Sequence, residues 1–340
     1  MKNLILSLLI VLVMTCRAFC DYMDDGNELY LHGDFDGAIA DYTRAIDQDP
    51  TKADAYNNRA SAETSKGDLD DAIADFTTAI KLKPDDADAY NNRGSAKTAK
   101  GDLHGAQADF TKAIKIKPDY GDAYDNRGNV KKARHDMDGA LADFNKAIEL
   151  NQNNADAYFN RGLVEKVKGD SDGAIADYTK AIEMKPDYAD AYNGRGVAKS
   201  QKGDYDNALA DFSKAIELNP DYAFAYNNRG WSEYLKNDFD GAINDATHAI
   251  QLDSKQGFIY GTRGWARYGK GDTVGALEDC KKAVELEGFN SPAAAADQGM
   301  MNYINGDYKW AVASWEEAIQ YDASESRELE PWIEKAKAAR

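Results

Sequence analysis

Apolar residues in this chain return at helical spacing, not by strict alternation. Ile73, Phe76, Ile80 and Leu82 form one such stripe, with Ala72 and Ala79 where a neighbouring helix has to come close. The stripe recurs with a period of 34 residues, marked by tyrosines at 56, 90, 124, 158, 192, 226 and 260 and by Arg59, Arg93, Arg127, Arg161, Arg195, Arg229 and Arg263 three residues after each. Every period reads as two helices. Gly-Asp pairs at 67–68, 101–102, 169–170, 203–204 and 271–272 break the first, and Pro50, Pro84, Pro118, Pro186 and Pro220 close the second. A lone helix pair cannot hide such a stripe from water, so repeats of this size must stack on one another.

Nine repeats are counted, starting near residues 21, 53, 87, 121, 155, 189, 223, 257 and 291. The last is displaced by one residue (Gly306-Asp307, Ala311, Trp315, Ala318). Tyr90, Gly94, Ala106, Phe110, Ala113 and Pro118 supply, in order, the bulky residue, the small residues, the aromatic and the proline of a known pattern. The chain resembles the tetratricopeptide repeat family over about residues 21–325. The resemblance implies an all-α fold, a right-handed α-solenoid whose inner wall is made by the first helix of each repeat. Residues 326–340, with Trp332 on one side and Glu and Lys on the other, are expected to form a polar-faced capping helix.

Two features depart from the family pattern. Seven repeats carry Arg where Leu is common, and each second helix carries an Asp one residue before its aromatic position (Asp41, Asp75, Asp109, Asp143, Asp177, Asp211, Asp245, Asp279). We expect each Arg to pair with the Asp of the preceding repeat, because the first repeat has Asp41 but no such Arg.

The first twenty residues differ from the rest: Lys2, an apolar run from Leu4 to Met14, then small residues at Ala18 and Cys20. The run falls short of the roughly 20 residues a bilayer span needs and reads as a secretory signal, cut after Cys20 or Ala18; a lipoprotein at Cys16 is a third option. Export to the periplasm, envelope or medium follows from this reading. Cleavage after Cys20 leaves Cys280 alone, so no internal disulfide forms and packing must supply the stability. The sequence exceeds the ~250–300 residues of a single core and has no Ser/Gly-rich linker, which again favours an array. A net charge of −18 speaks against nucleic acid and anionic membranes as partners.

No chemistry converges. His32, His104, His135 and His248 occupy different places in their repeats, and no zinc, phosphate-loop or nucleophile-elbow motif occurs. Asp-rich turns such as Gly33-Asp34-Phe35-Asp36 lack the run of an EF-hand loop and read as helix punctuation. The chain is expected to have no cofactor, no metal and no catalytic activity.

On the wall that the resemblance implies, Asp54, Asp88, Asp122, Asp156 and Asp190 are accompanied by Asn58, Asn92, Asn126 and Asn160, with Asn228 further on; Gly194 and Thr262 interrupt this ladder. Such a ladder is similar to that of peptide-gripping members, where the amide holds an extended backbone. The Lys and Arg of a carboxylate clamp do not stand at these positions. In the last third the wall becomes aromatic, with Phe224, Trp231, Tyr234, Phe258, Trp265, Tyr268 and Tyr303. These rings either anchor a partner or pack against neighbouring repeats. Two functions stay open: a scaffold binding an extended segment of a partner protein, and a carbohydrate or cell-wall glycan binder that uses the tryptophans.

Overall fold

The computed structural model describes residues 22–288 and 291–339; the expected signal segment 1–20, with Cys16, Ala18 and Cys20, lies outside them. Among the described residues all regular structure is helical. In chain order the helices are α1 (residues 22–31), α2 (Phe35–Gln48), α3 (Ala53–Lys66), α4 (Leu69–Leu82), α5 (Ala87–Lys100), α6 (Leu103–Ile116), α7 (Gly121–Ala133), α8 (Met137–Leu150) and α9 (Ala155–Val167). They continue with α10 (Ser171–Met184), α11 (Ala189–Gln201), α12 (Tyr205–Leu218), α13 (Ala223–Leu235), α14 (Phe239–Leu252), α15 (Gly257–Gly269), α16 (Thr273–Glu287), α17 (Pro292–Ile304), α18 (Tyr308–Tyr321) and α19 (Ser326–Ala338). This is an all-α solenoid of helix pairs. It forms two bodies, one ending at Val164 and the other beginning at Glu165.

Turn chemistry sets the helix boundaries. Gly67 and Gly101 follow α3 and α5 with φ of 95° and 86°, a left-handed conformation that costs glycine nothing. His135 and Asn237 hold the same place in two other repeats with φ of 62° and 64°. Each second helix then starts on an aspartate. The Asp34, Asp102, Asp136, Asp170, Asp238 and Asp272 side chains accept the N–H of the residue three positions on, so these aspartates are N-caps.

In the N-terminal body, Phe76 from α4 is buried between Ala60 of α3, its own partner helix, and Ala96 of α5 in the following repeat. Phe110 and Phe144 repeat the arrangement with Val130 and Val164. Gly94 is glycine because a Cβ there would lie 2.7 Å from the Phe110 ring. One aromatic thus ties three helices together, and stacking is what buries it.

The arginines correct one expectation. Arg59 donates from Nε and Nη2 to both oxygens of Asp75, 16 residues later in its own repeat and not in the preceding one. Arg93–Asp109, Arg127–Asp143, Arg195–Asp211, Arg229–Asp245 and Arg263–Asp279 match it. The preceding repeat is reached by the third nitrogen instead, as Arg59 Nη1 donates to Thr43 Oγ1 and Arg93 Nη1 to Thr77 Oγ1, each at 3.0 Å. Each guanidinium also lies 5.5–5.7 Å from the centroid of the tyrosine three residues before it, for example Arg93 over Tyr90 and Arg263 over Tyr260. In three repeats a lysine shares the buried carboxylate: Lys97 with Asp109, Lys131 with Asp143 and Lys199 with Asp211.

Candidate functional site

In the N-terminal body the ladder asparagines bridge repeats. Asn58 Nδ2 donates to Asn27 Oδ1 at 3.0 Å, Asn126 Nδ2 to Asn91 Oδ1 at 3.1 Å, and Asn160 Nδ2 to Asp125 Oδ1 at 3.4 Å. Asn92 is bonded within its own repeat, where its Oδ1 accepts from Asn91 Nδ2 at 3.4 Å. A rung of this kind uses one of the amide's two N–H groups and fixes the side chain. The second N–H and the carbonyl oxygen remain for another molecule. At Asn160 the oxygen is already taken, by Lys132 Nζ at 3.1 Å. Burial pushes the neighbouring Asp125 up to about 6, with Asn160 and Lys132 pulling it back.

The C-terminal body continues the rung at Asn228, whose Nδ2 donates to Asn193 Oδ1 at 2.9 Å. One repeat later the ladder position is Thr262, whose hydroxyl turns back to the Phe258 carbonyl. Asn227 Oδ1, the acceptor that the next rung would have met, is left buried without a hydrogen-bond partner. In the last repeat Asp297 lies against Gly261, so close that a Cβ on Gly261 would stand 2.6 Å from its Oδ2. Its Oδ1 accepts from Trp265 Nε1 at 2.8 Å.

The aromatic residues of this body do come together, under the chain's own last helix. α19 packs on α18 and runs back along the first helices of the repeats. Trp332 stands edge-on to Trp265, Tyr268 and Tyr303, with centroids 5.6, 5.7 and 5.6 Å away. Glu328 Oε2 accepts from Trp231 Nε1 at 3.0 Å. Arg327 Nη1 donates to the Gln201 carbonyl at 3.0 Å. Leu329, Ile333 and Ala336 complete the buried face of α19. Trp265 is therefore only 3% exposed and Tyr234 8%, while Trp231, Tyr268 and Tyr303 are partly covered. Phe224 and Phe258 stack on each other at 5.6 Å, and Phe224 keeps an exposed face.

Sequence reasoning missed the path of α19 and the place of Asp297. Leu329, Ile333 and Ala336 at i, i+4 and i+7, with Trp332 beside them, were the available signal for α19. For Asp297 the signal was an acid at the ladder position once the one-residue displacement of the last repeat is applied.

A pocket of about 270 Å³ remains between α13, α15, α17 and α19. Burial pushes Asp297 up to about 7, opposed by hydrogen bonds from Trp265 and Cys280. Burial also pushes Glu328 up to about 7, with the nearby Glu325 adding to the rise. Cys280 is a fully buried free thiol, with burial holding its pKa well above the usual range. Among the described residues no three His, Cys, Asp or Glu side chains group as metal ligands, and no helix is long and apolar enough to cross a membrane.

The 34-residue helix pair and its stacking aromatics are those of the tetratricopeptide repeat. Family models of that repeat match residues 24–87 and 65–121, 128–166 and 167–203, and 189–222, together more than half of the chain. The chain belongs to the tetratricopeptide repeat family, a scaffold fold for protein–protein interaction. Among solved structures it is similar in fold to a tetratricopeptide repeat protein from Parabacteroides merdae (20% identity over 74% of this chain and 99% of that one, TM-score 0.57). It is also similar in fold to the APC/C hetero-tetramer Cut9–Hcn1 (16% identity, 82% and 54% covered, TM-score 0.61). YrrB, a TPR protein with an unusual peptide-binding site, matches at 30% identity over 54% of this chain and 95% of its own, with a TM-score of 0.46. No curated protein matches the chain.

Proposed function

We propose that this chain is an exported, non-catalytic scaffold that holds an extended segment of a partner protein against the polar wall of its N-terminal body. The observation that carries the reading is the rung at Asn126, repeated at Asn58: each amide is pinned by one N–H to the preceding repeat and keeps a donor and an acceptor for a peptide backbone. An amide fixed in this way loses little side-chain entropy on binding. Asp54, Asp88, Asp122 and Asp156 are exposed on the same helices and favour a segment carrying Lys or Arg.

Carbohydrate binding through the aromatic wall is the second reading. It needs open indole faces, and the 3% exposure of Trp265 beneath α19 leaves that ring none. Phe224 is the aromatic wall residue whose exposed face favours keeping this arm in the test.

Peptide display on the immobilised chain, followed by backbone N-methylation of the selected peptides, tests the scaffold reading. Binding that tolerates side-chain changes but is lost on N-methylation supports backbone gripping. Retention on cell-wall polysaccharide with no peptide selected would replace it by the carbohydrate reading.

A further inference from the structure

The pocket between α13, α15, α17 and α19 has a chemistry unlike that of the Asn wall. Trp231 and Trp332 supply indole surface, and Asp297, Glu325 and Glu328 supply three carboxyls; no Lys, Arg or His lines it. Two of its donors, the indole N–H groups of Trp231 and Trp265, are already given to Glu328 and Asp297. Asn227, 6% exposed, also lines the pocket, and its Oδ1 has no hydrogen-bond partner. Aromatic faces, carboxylates and an orphan carbonyl oxygen all attract positive charge.

We infer that this pocket is a binding site for an alkylammonium group, carried by a small organic amine or by a lysine side chain of a partner. Trp332 already shows the preference on another contact, with Lys335 Nζ 4.6 Å from its ring centroid. At about 270 Å³ the space admits a trimethylammonium head or the end of a lysine side chain, each only a few times the ~30 Å³ share of a water molecule. Burial holds both Asp297 and Glu328 near 7, with Arg327 opposing the rise at Glu328 and no cation opposing it at Asp297. A bound cation would supply that positive charge. The inference does not depend on peptide binding by the N-terminal body.

The test titrates the full chain with choline, with its neutral carbon isostere dimethylbutanol, and with N-acetyl-lysine amide, at constant ionic strength. Indole fluorescence and calorimetry are the readouts. Saturable binding of choline or of the lysine amide, with the neutral isostere bound roughly tenfold more weakly or not at all, is the expected result. Choline alone identifies a small-molecule site, and the lysine amide alone a site for a partner's side chain. Glu328→Gln and Asp297→Asn keep the acceptors for Trp231 and Trp265 and should each weaken binding about tenfold while the thermal transition stays in place. Equal binding of choline and its isostere, or no saturable binding of either cation, overturns the inference.

Discussion

Trp332 meets Trp265 edge-on, with centroids 5.6 Å apart and planes at 83°. The chain's last helix therefore occupies the aromatic wall that its last three repeats present. A Trp pair of this geometry adds ~0.5–1.5 kcal/mol to what the buried area contributes, and Trp332 also touches Tyr268, Tyr303 and Trp315.

Trp332→Ala should accordingly cost the C-terminal body about 3–5 kcal/mol, the range for emptying a packed aromatic site. Urea unfolding followed by indole fluorescence measures this. The same variant should make Trp231 and Trp265 more accessible to acrylamide quenching; unchanged quenching would mean that α19 does not cover them.

Asp143 is 4% exposed and faces both Arg127 and Lys131. Asp143→Asn leaves two cations without their carboxylate and is expected to destabilise the N-terminal body by about 3 kcal/mol. A change below about 1 kcal/mol would place these pairs with ordinary exposed ones. Arg127→Ala should act in the same direction, since it strands the aspartate.

Three repeats put an acid, Glu63, Glu165 or Glu233, where others have Lys97 or Lys131. Burial, reinforced by the Coulombic effect of Asp75, pushes Glu63 up to about 7; Glu233 is pushed up likewise beside Asp245. Both are raised acids, so the folded chain keeps their protons after the unfolded chain, titrating near 4.5, has lost them. The stability they contribute is full below about pH 4.5 and is lost as pH rises through about 7. Asp297 and Glu328 add to the trend in the same direction. The urea midpoint of the wild type should fall between pH 5 and pH 8. A Glu63→Lys, Glu233→Lys variant should flatten that slope and gain roughly 1–2 kcal/mol at pH 8.

His135 sits at φ 62° in the turn where other repeats use glycine. His135→Gly removes the strain of a left-handed side chain and should stabilise the N-terminal body by ~1 kcal/mol. A loss of stability would show that the imidazole makes a contact worth more than the strain.

The repeat, its turns and its stacking aromatic were legible because a 34-residue period repeats each local signal many times. Gly101, Asp102 and Phe110 each have counterparts at the expected positions. The partner of each arginine was not legible. Arg59 lies between the second helix of its own repeat and that of the preceding one, so Asp75 and Asp41 were both candidates by spacing. The structure divides the guanidinium between its own Asp75 and the preceding repeat's Thr43. The ladder positions could be read, but their side-chain partners could not, because whether Asn126 faces solvent or Asn91 depends on how repeats stack. The path of α19 was the least visible feature. Its apolar stripe says that it must be covered, while the choice of Trp265 and Tyr268 as its seat is set by the depth of the wall and not by any period in the sequence.

The affinity of one display-selected peptide for three proteins tests the central claim most directly: wild type, an Asn58→Ala, Asn126→Ala variant, and a Trp231→Ala, Trp265→Ala variant, each checked for unchanged helicity. The account predicts a loss of roughly tenfold or more in the asparagine variant, from two backbone-directed amides, and near wild-type affinity in the tryptophan variant. Full affinity without the asparagines and loss of binding without the tryptophans would contradict it, and would place the partner on the wall that α19 covers.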